Sequence, residues 1–254
     1  MGFIRSFPGL IKVFNTLRVF NHYEKDINAA REAGDYELER KIIADSSFQW
    51  ATRVTEVLPI EVEVHGAENI PNRDGCVYVA NHQGYADIIA MIIGAKGHQM
   101  GFVAKDSLEK VPYLGRWIKN LHGIFLTRGN SREALKSFQT AVKSIKDGFN
   151  AIIFPEGTRS RGPEMGEFKA GSFKLATRAK APIVPVALNG SYHLYEETGA
   201  IRPAHITVVF HPMLETAGLS RAEQRALEKR IEEQIRSTLK QLNSGSEPDT
   251  NIKA

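Results

Sequence analysis

Two short polar runs contain the side chains best suited to chemistry. The first is Asn81-His82-Gln83-Gly84-Tyr85-Ala86-Asp87. A histidine beside a carboxylate is an acid–base unit. The carboxylate fixes the imidazole tautomer through Nδ1 and leaves Nε2 to take a proton from an attacking hydroxyl. On one straight helix, positions five apart point about 140° away from each other. His82 and Asp87 can therefore meet only if His82 lies in a turn and Asp87 in the first turn of the helix that follows, with Gly84 giving the turn its freedom. The same residues also fit a structural histidine held by a helix N-terminal aspartate.

The second run is Phe154-Pro155-Glu156-Gly157-Thr158-Arg159-Ser160. Gly157 lets backbone N–H groups turn toward an anion, Thr158 and Ser160 add hydroxyl donors, and Arg159 offers a bidentate fork for phosphate. Arg161 and Lys169 follow closely, and Lys105 and Arg128 each come just after an apolar, strand-like stretch. A polar turn with a surface arginine would explain the composition of this run. It would not explain why so many cations follow strands, at the edge where α/β sheets bind ligands.

The elements that must position these residues can be read from periodicity. Short apolar runs predict strands at Val62–Val64, Cys76–Val79, Gly101–Ala104, Ile124–Leu126, Ala151–Phe154, Ile183–Leu188 and Ile206–Phe210. Helical spacing falls near Ile88–Gly94, Ser131–Lys146, Ser172–Lys180 and Ser220–Leu242, the last opening on a capping box, Ser220 and Glu223. This alternation predicts an α/β domain, a mixed and largely parallel sheet flanked by helices. Before it, residues 1–58 read as an N-terminal amphipathic two-helix hairpin turning at Gly34-Asp35, its second helix running from Tyr36 to Val57. Phe3, Phe7, Leu10, Ile11, Phe14 and Leu17 recur at helical spacing with Arg5, Lys12 and Arg18 off that stripe. Such a stripe suits a membrane-interface anchor, the role expected of this hairpin, with a helix packed on the core as the alternative. The expected divisions are 1–58, 59–242 and a polar, disordered tail over 243–254.

Composition narrows the classes. The 254 residues are 42% hydrophobic and 24% charged, which excludes wholesale disorder and fibrous repeats. One cysteine, Cys76, excludes a disulfide framework and a cysteine-built metal cluster. No apolar run reaches the roughly 20 residues of a spanning helix, and no secretory signal is read at the start. Net charge is only +4, but residues 101–180 hold 15 Lys/Arg against 7 Asp/Glu. A segment that basic calls for an anionic partner. Nucleic acid is not expected, because the cations gather at strand ends rather than interleaving with aromatics on one surface.

Taken in order, Asn-His-x4-Asp at 81–87, Phe-x-x-Arg at 125–128, Phe-Pro-Glu-Gly-Thr-Arg-Ser at 154–160 and Val184-Pro185-Val186 resemble the four blocks of the glycerolipid acyltransferases, most closely the bacterial 1-acylglycerol-3-phosphate acyltransferases. One departure is His122, which stands where the second block usually has its glycine. The resemblance implies that His82 is the general base and Asp87 its orienting partner. It also implies that Arg128, Glu156, Gly157 and Arg159 hold the acceptor's phosphate and glycerol, with Thr158 beside them and Lys105 as an extra cation. The implied reaction moves an acyl group from acyl-CoA or acyl carrier protein to the free hydroxyl of lysophosphatidic acid, giving phosphatidic acid in phospholipid biosynthesis. It would run without cofactor or metal, at the cytoplasmic face of the membrane bilayer, in a peripheral or monotopic protein. Independent chemistry agrees with direct transfer: there is no Gly-x-Ser-x-Gly elbow for a serine acyl-enzyme, and Cys76 lies in an apolar strand. The alternatives are another acceptor (glycerol 3-phosphate, a lyso-ornithine lipid, another lysophospholipid) or a non-catalytic peripheral lipid-binding protein.

Overall fold

A computed structural model describes residues 13, 15–126, 131–169 and 171–250. After a 3₁₀ turn at Leu17–Phe20 come helices α1 (Asn21–Ala33) and α2 (Tyr36–Val57). They are joined at Gly34, which takes the left-handed φ of 70°, and Asp35 caps α2 by accepting the Leu38 N–H. The chain then runs β1 (Ile60–His65), β2 (Val77–Ala80), α3 (Asp87–Gly94), β3 (Gly101–Lys105), α4 (Leu114–Asn120), β4 (Ile124–Leu126), α5 (Ser131–Lys146), β5 (Ala151–Ile153), α6 (Lys174–Ala179), β6 (Ile183–Asn189), β7 (Ala204–Phe210) and α7 (Arg221–Asn243). All seven expected strands are present, with ends moved by two residues at most, and α2 and α5 have the expected bounds. The capping box at Ser220 and Glu223 forms. Helix α4 was not expected.

The strands form one sheet in the order β1-β7-β6-β2-β5-β3-β4. From β6 to β4 every neighbouring pair is parallel, while β7 is antiparallel to β6 and β1 follows β7. Alternation along the strands divides the core between two faces. Tyr78 and Ala80 pack with α1, α2, α3 and α4, whereas Val77 and Val79 pack with α5, α6 and α7.

Two features of this sheet place the site. Register sets Val79 beside Ile153, so β5 ends one residue short of β2 and the chains that leave them, at Asn81 and Phe154, emerge side by side. β6 runs on past β2, and the Asn81 side chain continues the ladder in place of a peptide. Its Nδ2 donates to the Leu188 carbonyl and its Oδ1 accepts the Leu188 N–H, both at 2.8 Å. The main chain is thereby released to turn at His82.

The N-terminal hairpin shares the body's core. Ile27, Ile43, Trp50, Ala51 and Val54 are buried in the same cluster as Tyr78, Met91 and Trp117, with the Trp50 and Trp117 rings 4.4 Å apart. Leu17, the last residue of the apolar stripe, is buried there too. From Leu17 onward the hairpin is therefore a packed one, while Phe3, Phe7, Leu10, Ile11 and Phe14, with Arg5 and Lys12, lie outside the described residues. Beyond α7, the Ser246 N–H donates to the Gln241 carbonyl and Asn69 Nδ2 to the Thr250 carbonyl.

Candidate active site

The turn that follows β2 brings His82 and Asp87 together. Asp87 opens α3 and is fully buried. Its Oδ2 lies 2.6 Å from His82 Nδ1 and accepts the backbone N–H groups of Gln83 (2.7 Å) and Gly84 (3.0 Å). Two backbone N–H donors already on this oxygen, at a helix N-terminus, make it an acceptor. The ring nitrogen facing it must then be the one that carries the proton. His82 is thus fixed with Nδ1–H toward Asp87, which leaves Nε2 as the basic atom. Its ring stacks on Phe154 at 4.1 Å, and its side chain keeps 20% of its surface exposed.

The loop after β5 is laced to this turn. The Ser160 N–H donates to the His82 carbonyl (2.7 Å) and the Arg161 N–H to the Gln83 carbonyl (3.2 Å). Glu156 completes the lacing: its Oε1 accepts the His82 N–H at 2.7 Å and its Oε2 the Gly166 N–H at 2.8 Å. Burial pushes the Glu156 pKa up while those two hydrogen bonds pull it down. Both oxygens accept backbone N–H groups, so Glu156 ties the two loops together at the site.

Gly157 and Thr158 form the exposed tip of the loop. Gly157 has a φ of 66°, and a side chain there would meet Lys169 Nζ at 2.6 Å, which places that ammonium over the loop's backbone. Arg159 is half-buried. Its Nη1 donates to Glu196 Oε1 at 2.6 Å, and its guanidinium lies 3.6 Å from the centre of the Tyr85 ring. Glu196 is a residue that motif reasoning missed. It follows β6, outside all four blocks, and no motif marks it in the sequence; the structure brings it in because β6 lies beside β2 and parallel to it. Lys105 is exposed at the end of β3, next to β5 in the sheet. Arg128, two residues past β4, lies outside the described residues.

These groups can orient a hydroxyl, take its proton and hold an anion nearby. Burial pushes the Cys76 thiol up to about 11, so it holds no thiolate at neutral pH. Among the described residues no group of three or more His, Cys, Asp or Glu is placed to hold a metal.

Known proteins share this arrangement of sequence and fold. The chain is 31% identical over 195 residues to a 1-acyl-sn-glycerol-3-phosphate acyltransferase of Pseudomonas aeruginosa, covering 76% of this chain and 74% of that one. It is 30% identical over 155 residues to a chloroplastic 1-acyl-sn-glycerol-3-phosphate acyltransferase of Brassica napus, spanning less than half of it, 44%. The crystal structure of the 1-acyl-sn-glycerophosphate acyltransferase PlsC from Thermotoga maritima superposes with a TM-score of 0.76 at 27% identity, covering 96% of this chain and 98% of that one. The family described as Acyltransferase matches residues 61–189. That segment opens in β1, closes on the last residue of β6 and encloses both loops that meet at His82; the chain belongs to the acyltransferase family.

Proposed function

We propose that the protein transfers an acyl group from a thioester, acyl-CoA or acyl carrier protein, to the free hydroxyl of 1-acyl-glycerol 3-phosphate, giving phosphatidic acid. The observation that carries this reading is the 2.6 Å contact from His82 Nδ1 to a fully buried Asp87. His82 Nε2 takes the proton of the acceptor hydroxyl as its oxygen attacks the thioester carbonyl. Asp87 stabilises the imidazolium so formed. The tetrahedral intermediate collapses, the C–S bond breaks, and the imidazolium returns its proton to the leaving thiolate. Ester and free thiol are the products, and His82 ends as it began.

Arg159 and Lys169, at the loop tip beside Gly157 and Thr158, supply positive charge for the acceptor's phosphate. Lys105 adds to it from the neighbouring strand, and Arg128 is proposed to do the same from the sequence resemblance alone. The names of the Pseudomonas aeruginosa and Thermotoga maritima proteins favour the lysophosphatidic acid acceptor. Because that acceptor resides in a bilayer, we place the working site at a membrane surface, on its cytoplasmic face, in a peripheral or monotopic protein.

The test is purified protein with labelled acyl-CoA or acyl carrier protein and a panel of acceptors: lysophosphatidic acid, glycerol 3-phosphate and lysophosphatidylcholine. Turnover is expected with the first. His82→Ala is expected to lower kcat by roughly 10²–10⁴-fold with melting unchanged. A variant retaining wild-type kcat removes His82 from the mechanism.

A further inference from the structure

We infer that Glu196, beyond the residues of the four blocks, is a positioning residue that sets the Arg159 guanidinium for the acceptor's phosphate. The inference rests on the acyl-transfer reading for the identity of that ligand. Three loops meet here, from three adjacent parallel strands: Tyr85 after β2, Arg159 after β5 and Glu196 after β6. Glu196 Oε1 accepts both Arg159 Nη1 (2.6 Å) and the Tyr85 N–H (2.9 Å). The side chain is 3% exposed, and its second oxygen, Oε2, is buried without a hydrogen-bond partner. A side chain at position 84 would meet that oxygen at 2.8 Å, so Gly84 leaves it room.

A buried carboxylate with one oxygen unsatisfied is costly, and it needs a reason to be there. The geometry supplies one. An arginine on a loop has many rotamers, and an anion must order it on binding. Here the guanidinium is ordered beforehand in both of its directions. Its π face rests on Tyr85 and its Nη1 is held by Glu196, so its other donors are left for an anion on a side chain that is 19% exposed. Glu196 cannot act as a mere placeholder that leaves when phosphate arrives, because Tyr85 N–H holds it and its removal would leave a buried charge unpaired. Phosphate must therefore bind Arg159 alongside Glu196.

The experiment is a double-mutant cycle. Glu196→Gln keeps an acceptor for Tyr85 N–H but loses the charge that holds Arg159; Glu196→Ala removes both. Each is made in the unaltered protein and in Arg159→Ala. Two quantities are read: KM for lysophosphatidic acid against KM for acyl-CoA, and calorimetric binding of lysophosphatidic acid in detergent micelles. Glu196→Gln is expected to raise the acceptor KM and weaken micelle binding by roughly tenfold, the scale of one misplaced charge-assisted contact, with the donor KM unchanged. In Arg159→Ala it is expected to add nothing further. The inference is overturned if the acceptor KM is unchanged or falls, or if the Glu196 effect is as large without Arg159, which would make Glu196 a structural tie. Should Glu196→Ala fail to fold, Glu196→Gln decides. If the unaltered protein binds lysophosphatidic acid but turns nothing over, the acyl-transfer reading fails, while the binding cycle still reads Glu196.

Discussion

Asp87 concentrates its work on one oxygen. With Oδ2 accepting from His82 Nδ1 and two backbone N–H groups, and Oδ1 buried without a partner, an amide at this position can satisfy the backbone donors only by keeping its oxygen where Oδ2 is. It then has no charge to stabilise an imidazolium. Asp87→Asn is therefore expected to fold and to lose roughly 10²–10⁴-fold in kcat, read by single-turnover assay beside thermal melting. A different histidine shows what burial does without such a partner. His211 is fully buried, its Nε2 sits 3.0 Å from Thr238 Oγ1 and its Nδ1 has no partner. Burial lowers its pKa from 6.5 to about 4, against a weak upward pull from Asp249. A depressed histidine stays neutral in the folded state while the unfolded chain takes up a proton. Stability should therefore fall as pH drops through 6.5, continue falling to about 4, and level off below. The full span is about 3 kcal/mol at most. Urea unfolding at pH 7.5 and pH 5 should read about 2 kcal/mol of it, and His211→Leu should flatten the difference.

Among the elements, the position where the sequence departs from the family pattern joins the N-terminal hairpin to the sheet domain. His122 holds a φ of 60°, a conformation that glycine adopts freely and other residues do not. Its Nε2 meets Glu39 Oε1 of α2 at 2.8 Å, its Nδ1 meets Ser144 Oγ of α5 at 3.0 Å, and its ring stacks on Phe149 at 3.5 Å. Glu39 is buried and also accepts from Arg31 Nε of α1. His122→Gly should recover about 1 kcal/mol of backbone strain and lose a charge-assisted hydrogen bond of about 1.5–3 kcal/mol together with the stacking. A net loss of about 1–3 kcal/mol is expected, with faster hydrogen exchange in α1 and α2. A more stable His122→Gly protein would show that this contact does not hold the hairpin. None of this was legible in the sequence, because Glu39 and His122 lie far apart along the chain and neither belongs to a periodic pattern. The strands were legible, since burial alternates or runs continuously within each one. Their order was not, because periodicity records which face a residue buries and not which strand lies beside it. The short α4 was missed for a related reason: it has only seven residues, with Pro112 just before it and Gly115 in its first turn, too short for a helical period to show. Yet Trp117 and Ile118 bury in the core shared with the hairpin. In the same way the partners of Glu156, the backbone N–H groups of His82 and Gly166, could not be read from the sequence, because the second lies ten residues on in a loop with no periodic pattern.

Across the molecule, five parallel strands end at one edge, and the cations of residues 101–180 that follow β3 and β5 gather there with His82. No described helix is long and apolar enough to cross a membrane, yet an acceptor with an acyl tail costs about 0.8 kcal/mol per CH₂ to draw into water. If the acceptor is lysophosphatidic acid, that edge has to meet the lipid where it lies. Residues 1–12 carry apolar side chains suited to such a contact, Phe3, Phe7, Leu10 and Ile11 among Arg5 and Lys12. A cut at residue 12 leaves Thr16, whose hydroxyl accepts from Trp50 Nε1 at 3.0 Å, and Leu17 in the core. Protein lacking residues 1–12 is thus expected to melt within a few degrees of the full chain and to keep its activity on detergent-dispersed acceptor. Its co-sedimentation with anionic vesicles, and its activity on acceptor embedded in them, are expected to fall. Whatever binding survives should depend on the basic edge and weaken steeply between low and high salt, as screening shortens the reach of its charge. If truncated and full-length protein sediment alike at high salt, where only apolar insertion holds, residues 1–12 are not the anchor.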